Sequence, residues 1–254
     1  MSEKKYSILT FIMDGYEMVR EPEELSENAE YILVTDDPTL KSDKWTIKLI
    51  PEWLKEADGF TKSFYIRYHP FEFVNTNTCI VLDGSIHIKK SLDKLITDFY
   101  DSGKDCMFMV HWCLDNIMQE YPVWVNQRGY PAKQANKVFA FFVACGYLKT
   151  YKGAFEAGFK IVKNCDSVNK LHNFVYTSLE LLGDKLHVDR VDQGILTAIM
   201  NTKFTDIAMM PCTHQIIQND YMTYYHHNTW DAYPVPIKKN LFLFNEPVNV
   251  YYLK

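Results

Sequence analysis

The sequence predicts an α/β sandwich built on a mixed sheet, and three observations carry that expectation. Strand-like runs alternate with helix-like segments through the first half of the chain. The run Cys79-Ile80-Val81-Leu82 is apolar throughout before it meets Asp83-Gly84-Ser85, the pattern of a strand covered on both faces. Two earlier runs also end in acid-bearing turns, Asp14-Gly15-Tyr16 and Asp36-Asp37-Pro38. Open α/β sheets bind ligands beyond the carboxyl ends of their strands, so acids delivered there are placed to meet a hard cation or the phosphates it bridges. Asp-Gly is equally a common turn signal, and a plain strand-closing turn stands beside the functional reading of Asp83.

In order, residues 6–13 (YSILTFIM) read as a first strand and residues 31–35 (YILVT) as a second, with an acidic, proline-bearing loop over 17–28 between them. Residues 45–50 (WTIKLI) alternate as a third or edge strand. A helix over 61–73 runs into Pro70, just before the buried strand at 79–83. Residues 90–103 carry Leu92, Leu95, Ile96 and Phe99 at helical spacing and stop at Gly103. A short strand follows at 107–110, helical segments at 114–121 and 134–147, a glycine-flanked strand at 153–162 and a helix at 166–182 stopped by Gly183. Residues 187–199 hold a second polar cluster, and 221–233 are rich in aromatics and histidine. With no internal repeat or flexible linker, a single domain spanning 1–254 is the economical expectation.

Composition narrows the function. Hydrophobic residues make up 47% and charged residues 23% of the 254, the balance of a globular protein. A net charge of -5 with scattered basic residues argues against a general nucleic-acid binder. The opening residues do not form a secretory signal, and no apolar run approaches the length of a membrane span, so a cytoplasmic protein with at most peripheral membrane contact is expected. The six cysteines form no C-x-x-C pair and read as free, buried thiols in a reducing compartment.

Several segments, in order over roughly residues 6 to 200, resemble a known family. The buried strand ending in Asp83-Gly84-Ser85 is similar to the D-x-D element of GT-A-fold glycosyltransferases. The opening LTFIMDGYEMVREP and the later YILVTDD resemble the first two strand signatures of the glycosyltransferase-like family related to plant mucilage-biosynthesis proteins. Arg67 and Pro70 stand where that family has a basic residue and a proline, His111 matches a histidine after the next strand, and Asp192-Gln193, with Arg190 displaced, matches an Arg-Asp-Gln element. The resemblance implies a GT-A-like (nucleotide-diphospho-sugar transferase) sandwich, a central mixed, mostly parallel sheet flanked by helices. It implies transfer of a sugar from a nucleotide-diphosphate donor to a carbohydrate hydroxyl, in glycan or polysaccharide synthesis. Ser85 departs from the pattern by replacing the second acid.

On that resemblance Thr10, Phe11, Asp14, Gly15, Tyr16 and Asp36 are expected around the nucleoside, with Arg67, Asp83, Gly84, Ser85, His111 and Gln193 on the rest of the donor. A weakly held Mn²⁺ or Mg²⁺ is expected on Asp83, with Ser85 and a late histidine, His226, as further candidates; such ions accept one or two carboxylates plus substrate phosphates. Asp192, and less so Glu156, are the candidate general bases for an inverting transfer. In a retaining enzyme Asp192 would grip donor hydroxyls instead, and away from any site it is a solvated acid at a helix start. His111-Trp112 read as a pocket wall, and Trp112, Tyr224, Tyr225, Trp230 and Tyr233 as a stacking platform or as ordinary packing. Two alternatives stay open: a non-catalytic carbohydrate-binding or assembly protein, which Ser85 favours, and a nucleotidyltransferase, which the acidic Asp14-Gly15-Tyr16-Glu17 loop disfavours.

Overall fold

The computed structural model describes residues 5–111, 114, 116–147, 150–151, 153–183, 190–213, 217, 220–232, 242–243 and 246–247. Its centre is a seven-stranded sheet in the order β3-β2-β1-β4-β7-β6-β8. The chain lays down β1 (Tyr6–Ile12), β2 (Ala29–Thr35) and β3 (Thr46–Leu49), then α1 (Gly59–Tyr68), β4 (Thr78–Asp83) and the short β5 (Ile86–Ile88). It continues through α2 (Asp93–Asp101), β6 (Cys106–Val110), the single turn α3 (Glu120–Pro122), α4 (Ala132–Ala144) and β7 (Phe155–Lys163). Then come α5 (Asp166–Leu182), α6 (Val191–Met200), β8 (Met209–Thr213), β9 (Met222–Tyr224) and two-residue strands β10 (Phe242–Leu243) and β11 (Glu246–Pro247).

The sheet is mixed and mostly parallel, as expected: β7 alone runs antiparallel to its neighbours β4 and β6. Layers cover both faces. Leu9, Phe11, Val81, Phe108 and Val162 point into one cluster with side chains of α1, α4, α5 and α6. Ile8, Ile12, Ile80, Leu82, Met107 and Ile161 point into the other, with Leu95, Ile96 and Phe99 of α2 and the β5–β9 pair. This two-sided burial is why the central runs are apolar at consecutive positions rather than alternating. β3 lies at the edge, four residues long and largely exposed, as a safe edge strand should be.

Helix boundaries follow local chemistry. α1 starts two residues before the predicted 61 because the Asp58 carboxylate caps it, accepting from Thr61 N at 2.9 Å. It ends at Tyr68, and Pro70–Glu72 form a separate 3₁₀ turn. The segment expected to be helical from 114 is instead a 3₁₀ turn at Ile117–Gln119 that runs through α3 into a π-turn at Val123–Gln127. α5 occupies the predicted residues, Asp166–Leu182, with Gly183 at φ +69° as its stop. Five cysteines are free thiols, of which Cys79, Cys106 and Cys212 are buried; Cys113 lies outside the described residues.

Candidate active site at the carboxyl edge of the sheet

The chain order turns between β1 and β4: β2 and β3 lie on one side of β1, and the later strands of this sheet lie on the other. Such a topological switch point opens a crevice at the carboxyl ends of its strands. Phe11 in β1 is in register with Asp83 in β4, and Ile12 with Thr35 in β2. The acid turns that follow β1, β2 and β4 therefore share one edge.

The first turn is tight. Tyr16 N donates to Met13 O at 2.9 Å, with Asp14 at φ +52° and Gly15 at φ +63°, two left-handed residues in succession. Asp14 N donates to Asp36 Oδ1 at 3.0 Å, and Lys62 of α1 bridges the two carboxylates at 2.9 and 2.8 Å. Burial alone would raise the Asp36 carboxyl; Lys62 and the Asp14 donor outweigh it and hold it below the ordinary range. α1 begins hard against this turn, since a Cβ on Gly59 would stand 2.6 Å from Asp14 Oδ2.

Arg67, one helical turn and a half further along α1, ties the other half of the edge together. Its Nη2 donates to Asp83 Oδ1 at 2.5 Å and its Nη1 to Asp192 Oδ2, with the guanidinium 5.3 Å from the Phe11 ring centre. Burial works against the arginine's charge, but Asp192 and then Asp83 hold it above its usual range. Asp192 sits in the first turn of α6 at 2% exposure, with the Tyr68 hydroxyl 3.4 Å away. It is thus a buried partner of Arg67, and not the solvated acid that stood as an alternative from sequence. Glu156 is the half-buried carboxylate near Asp83: Asp83 Oδ2 and Glu156 Oε1 lie 3.0 and 3.9 Å from the place a Cβ on Gly158 would take. There β7 breaks its ladder with β6 in a bulge between Phe108 and Met109, which turns Glu156 to the edge.

The remaining sequence candidates divide. Gly84 and Ser85 belong to the edge: a Cβ on Gly84 would stand 3.0 Å from Phe11 O, and Ser85 O accepts from Tyr225 N at 3.0 Å, which brings the segment of His226 to this turn. His226 itself is exposed. Thr10 does not face Asp83; flanked by Ile8 and Ile12, its side chain belongs to the opposite face of the sheet. His111 is a buried strand end, its Nδ1 accepting from Leu114 N at 3.3 Å. Gln193 is buried and donates to Glu120 Oε1 at 3.0 Å. Trp112 and Tyr233 lie outside the described residues.

Sequence reasoning passed over a strap that closes one side of the edge. Glu17, buried, accepts from Asn228 N at 2.7 Å and pairs with Arg20 at 2.8 Å and His227 at 3.1 Å. Arg20 donates to Gly84 O and Thr229 O and lies against the rings of Tyr225 and Trp230. Tyr16 and Trp230 remain exposed, at 53% and 58%. Lys62 and Lys160 were also passed over, although a lysine inside the apolar run Phe159-Lys160-Ile161-Val162 was a legible signal.

The donor set does not fit a resident divalent cation. Among the described residues no three His, Cys, Asp or Glu side chains gather as ligands, and Asp83 Oδ1 is already held by a cation, Arg67.

No protein-family model matches the chain, and no curated protein sequence matches it. A crystal structure of mouse xyloside xylosyltransferase 1, apo form, is similar at 10% identity and a TM-score of 0.44, over 82% of this chain and 85% of that one. A likeness that loose assigns no activity, and the case for function rests on the sheet edge itself.

Proposed function

We propose that the chain binds a nucleotide-diphosphate sugar at the carboxyl edge of β1, β2 and β4 and transfers the sugar to a hydroxyl of a carbohydrate acceptor. One observation supports this above the rest: Asp83 closes β4 beside β1 at the switch point, and a buried arginine meets it there. The Asp14-Gly15-Tyr16 turn and Asp36 form the nucleoside end. Arg67 faces the diphosphate, exchanging its contact with Asp83 for phosphate oxygens while Asp192 keeps it in place. A preorganised guanidinium at the departing diphosphate stabilises the charge that develops there. Glu156 is the carboxylate for an acceptor hydroxyl in an inverting reaction, and the exposed rings of Tyr16 and Trp230 offer faces to sugars. A divalent cation enters as part of the ligand, with Asp83 as its protein carboxylate. No described helix is long and apolar enough to cross a membrane; a cytoplasmic setting is part of the proposal.

Calorimetric titration with UDP and GDP, with and without Mn²⁺, tests the reading, followed by a hydrolysis screen of nucleotide sugars. Binding of one diphosphate, weakened at least about tenfold by Asp83→Asn, is the expected result. Glycan binding with no response to either nucleotide would move the chain to the carbohydrate-binding alternative.

A further inference from the structure

Lys160 stands in β7 just inside the bulge, opposite Val81 of β4 and Phe108 of β6, at 1% exposure. Its Nζ lies 3.1 Å from His172 Nε2 and 4.1 Å from the centre of the Tyr68 ring. Among the described residues no carboxylate is hydrogen-bonded to it. Burial first, and the charge of Arg67 second, push the amine well below the ordinary lysine range. Burial, and next Lys160, likewise push His172 well below the ordinary histidine range. A neutral imidazole has one ring nitrogen that accepts and one that donates, so its Nε2 can pair with an uncharged amine in either sense.

The groups facing this amine are Arg67 and Tyr68 on α1, His172 on α5, Asp192 on α6, Cys79 on β4 and Cys106 on β6, with His69 beyond His172. Arg67 and Asp192 are the charged ones, and Arg67 is shared with Asp83 at the crevice. Negative charge added at that crevice is felt at Lys160, because Gly158, packed on Asp83, is two residues away along the strand, about 7 Å.

We propose that Lys160 takes up a proton when a diphosphate anion seats at Asp83 and Arg67, compensating from inside the sheet the charge the anion brings. The proposal rests on the donor-binding function above. A phosphate charge about 10 Å away, at an effective dielectric of about 20, raises the amine's proton affinity roughly tenfold per unit charge, and a diphosphate keeps a net negative charge after its divalent cation is counted. The proton comes from solvent and ends on Nζ; no other bond forms or breaks. Lys160 touches no ligand. It acts through charge and through Tyr68, whose hydroxyl faces Asp192, the carboxylate that holds Arg67, and is therefore a positioning residue.

The test is titration of the full chain with UDP, GDP and inorganic pyrophosphate, each with and without Mn²⁺, at pH 8 in two buffers of different ionisation enthalpy. The buffer dependence of the heat counts protons taken up per bound anion. Net proton uptake, abolished by Lys160→Met and kept by His172→Gln, is expected. Nitrogen-detected NMR of the lysine amines in the unsubstituted protein gives a second readout that needs no variant: one amine passes from neutral to protonated on adding the anion. Binding without uptake, or uptake unchanged in Lys160→Met with no amine signal shifting, overturns the proposal alone. Failure of all three anions to bind overturns it together with the donor-binding function.

Discussion

Replacing Lys160 by methionine tests whether the buried amine is uncharged. The side chain is 1% exposed, and its shift is downward, driven first by burial and then by Arg67. The unfolded chain keeps an ordinary lysine, protonated up to about pH 10.4. Between the lowered native value and that limit the unfolded state binds one proton more than the native state, so stability rises with pH, by about 1.4 kcal/mol per unit. His172 adds the same sign only below about pH 6.5, where the unfolded histidine charges. Above about pH 8.5 the opposing trend sets in, because Cys79, Cys106 and Cys212, raised by burial, stay thiols while their unfolded counterparts ionise. The clean window is pH 6.5 to 8.5, over which the protein should gain stability from Lys160, by about 2.7 kcal/mol at the upper bound of one proton. Urea unfolding of the protein and of Lys160→Met across that window gives the difference directly. The stability of Lys160→Met relative to the parent should fall as pH rises, with about 1.4 kcal/mol per pH unit as the upper bound. A difference that stays level with pH would mean the amine is charged in the fold, and the reasoning from its burial would be wrong.

Other expectations follow from the same edge. Arg67→Ala leaves Asp192 buried without its cation and should cost about 3–5 kcal/mol in urea unfolding; a loss below about 1 kcal/mol would show that the pair does not carry the buried charge. Gly158→Ala puts a methyl group 3.0 Å from Asp83 Oδ2. The gain of about 0.4–1 kcal/mol from a less flexible unfolded chain offsets the strain, so melting should hardly move while nucleoside diphosphate affinity drops; unchanged affinity would take Asp83 out of the ligand's reach. The Glu17 carboxyl, though burial pulls it upward, is lowered by Arg20, Asn228 N and His227. Its contribution is in place above about pH 4.5 and is lost as pH falls through the lowered native value. Glu17→Gln should therefore flatten the acid limb of the stability curve, and an acid limb as steep as the parent's would refute that assignment.

Much of this protein was legible in its residues. Apolar runs of strand length report burial on both faces whatever the neighbours are, so β1, β2, β4 and β6 could be placed from local pattern. The helix at Asp166–Leu182 was bounded by its own periodicity and by Gly183. The row of acids at strand ends was visible because a turn writes itself into adjacent residues. Conformation at 117–127 was not: its 3₁₀, α and π turns are set by what the segment packs against, as with Trp124 and Ile117 in the core.

What only the tertiary structure decided is who meets whom. No local pattern says that β7, late in the chain, inserts antiparallel between β4 and β6, or that its bulge brings Glu156 to Asp83. Arg67 and Asp192 are 125 residues apart in sequence, and no local pattern shows that an acid expected on the sugar side of the site is the buried partner of an arginine. Alternation along β1 placed Thr10 on the far face, a sign that depends on which side α1 packs. Residue types and short-range spacing determine which groups arrive at a strand end. Strand order and helix packing, which depend on contacts distant in sequence, determine whether those groups face a ligand, one another or the core.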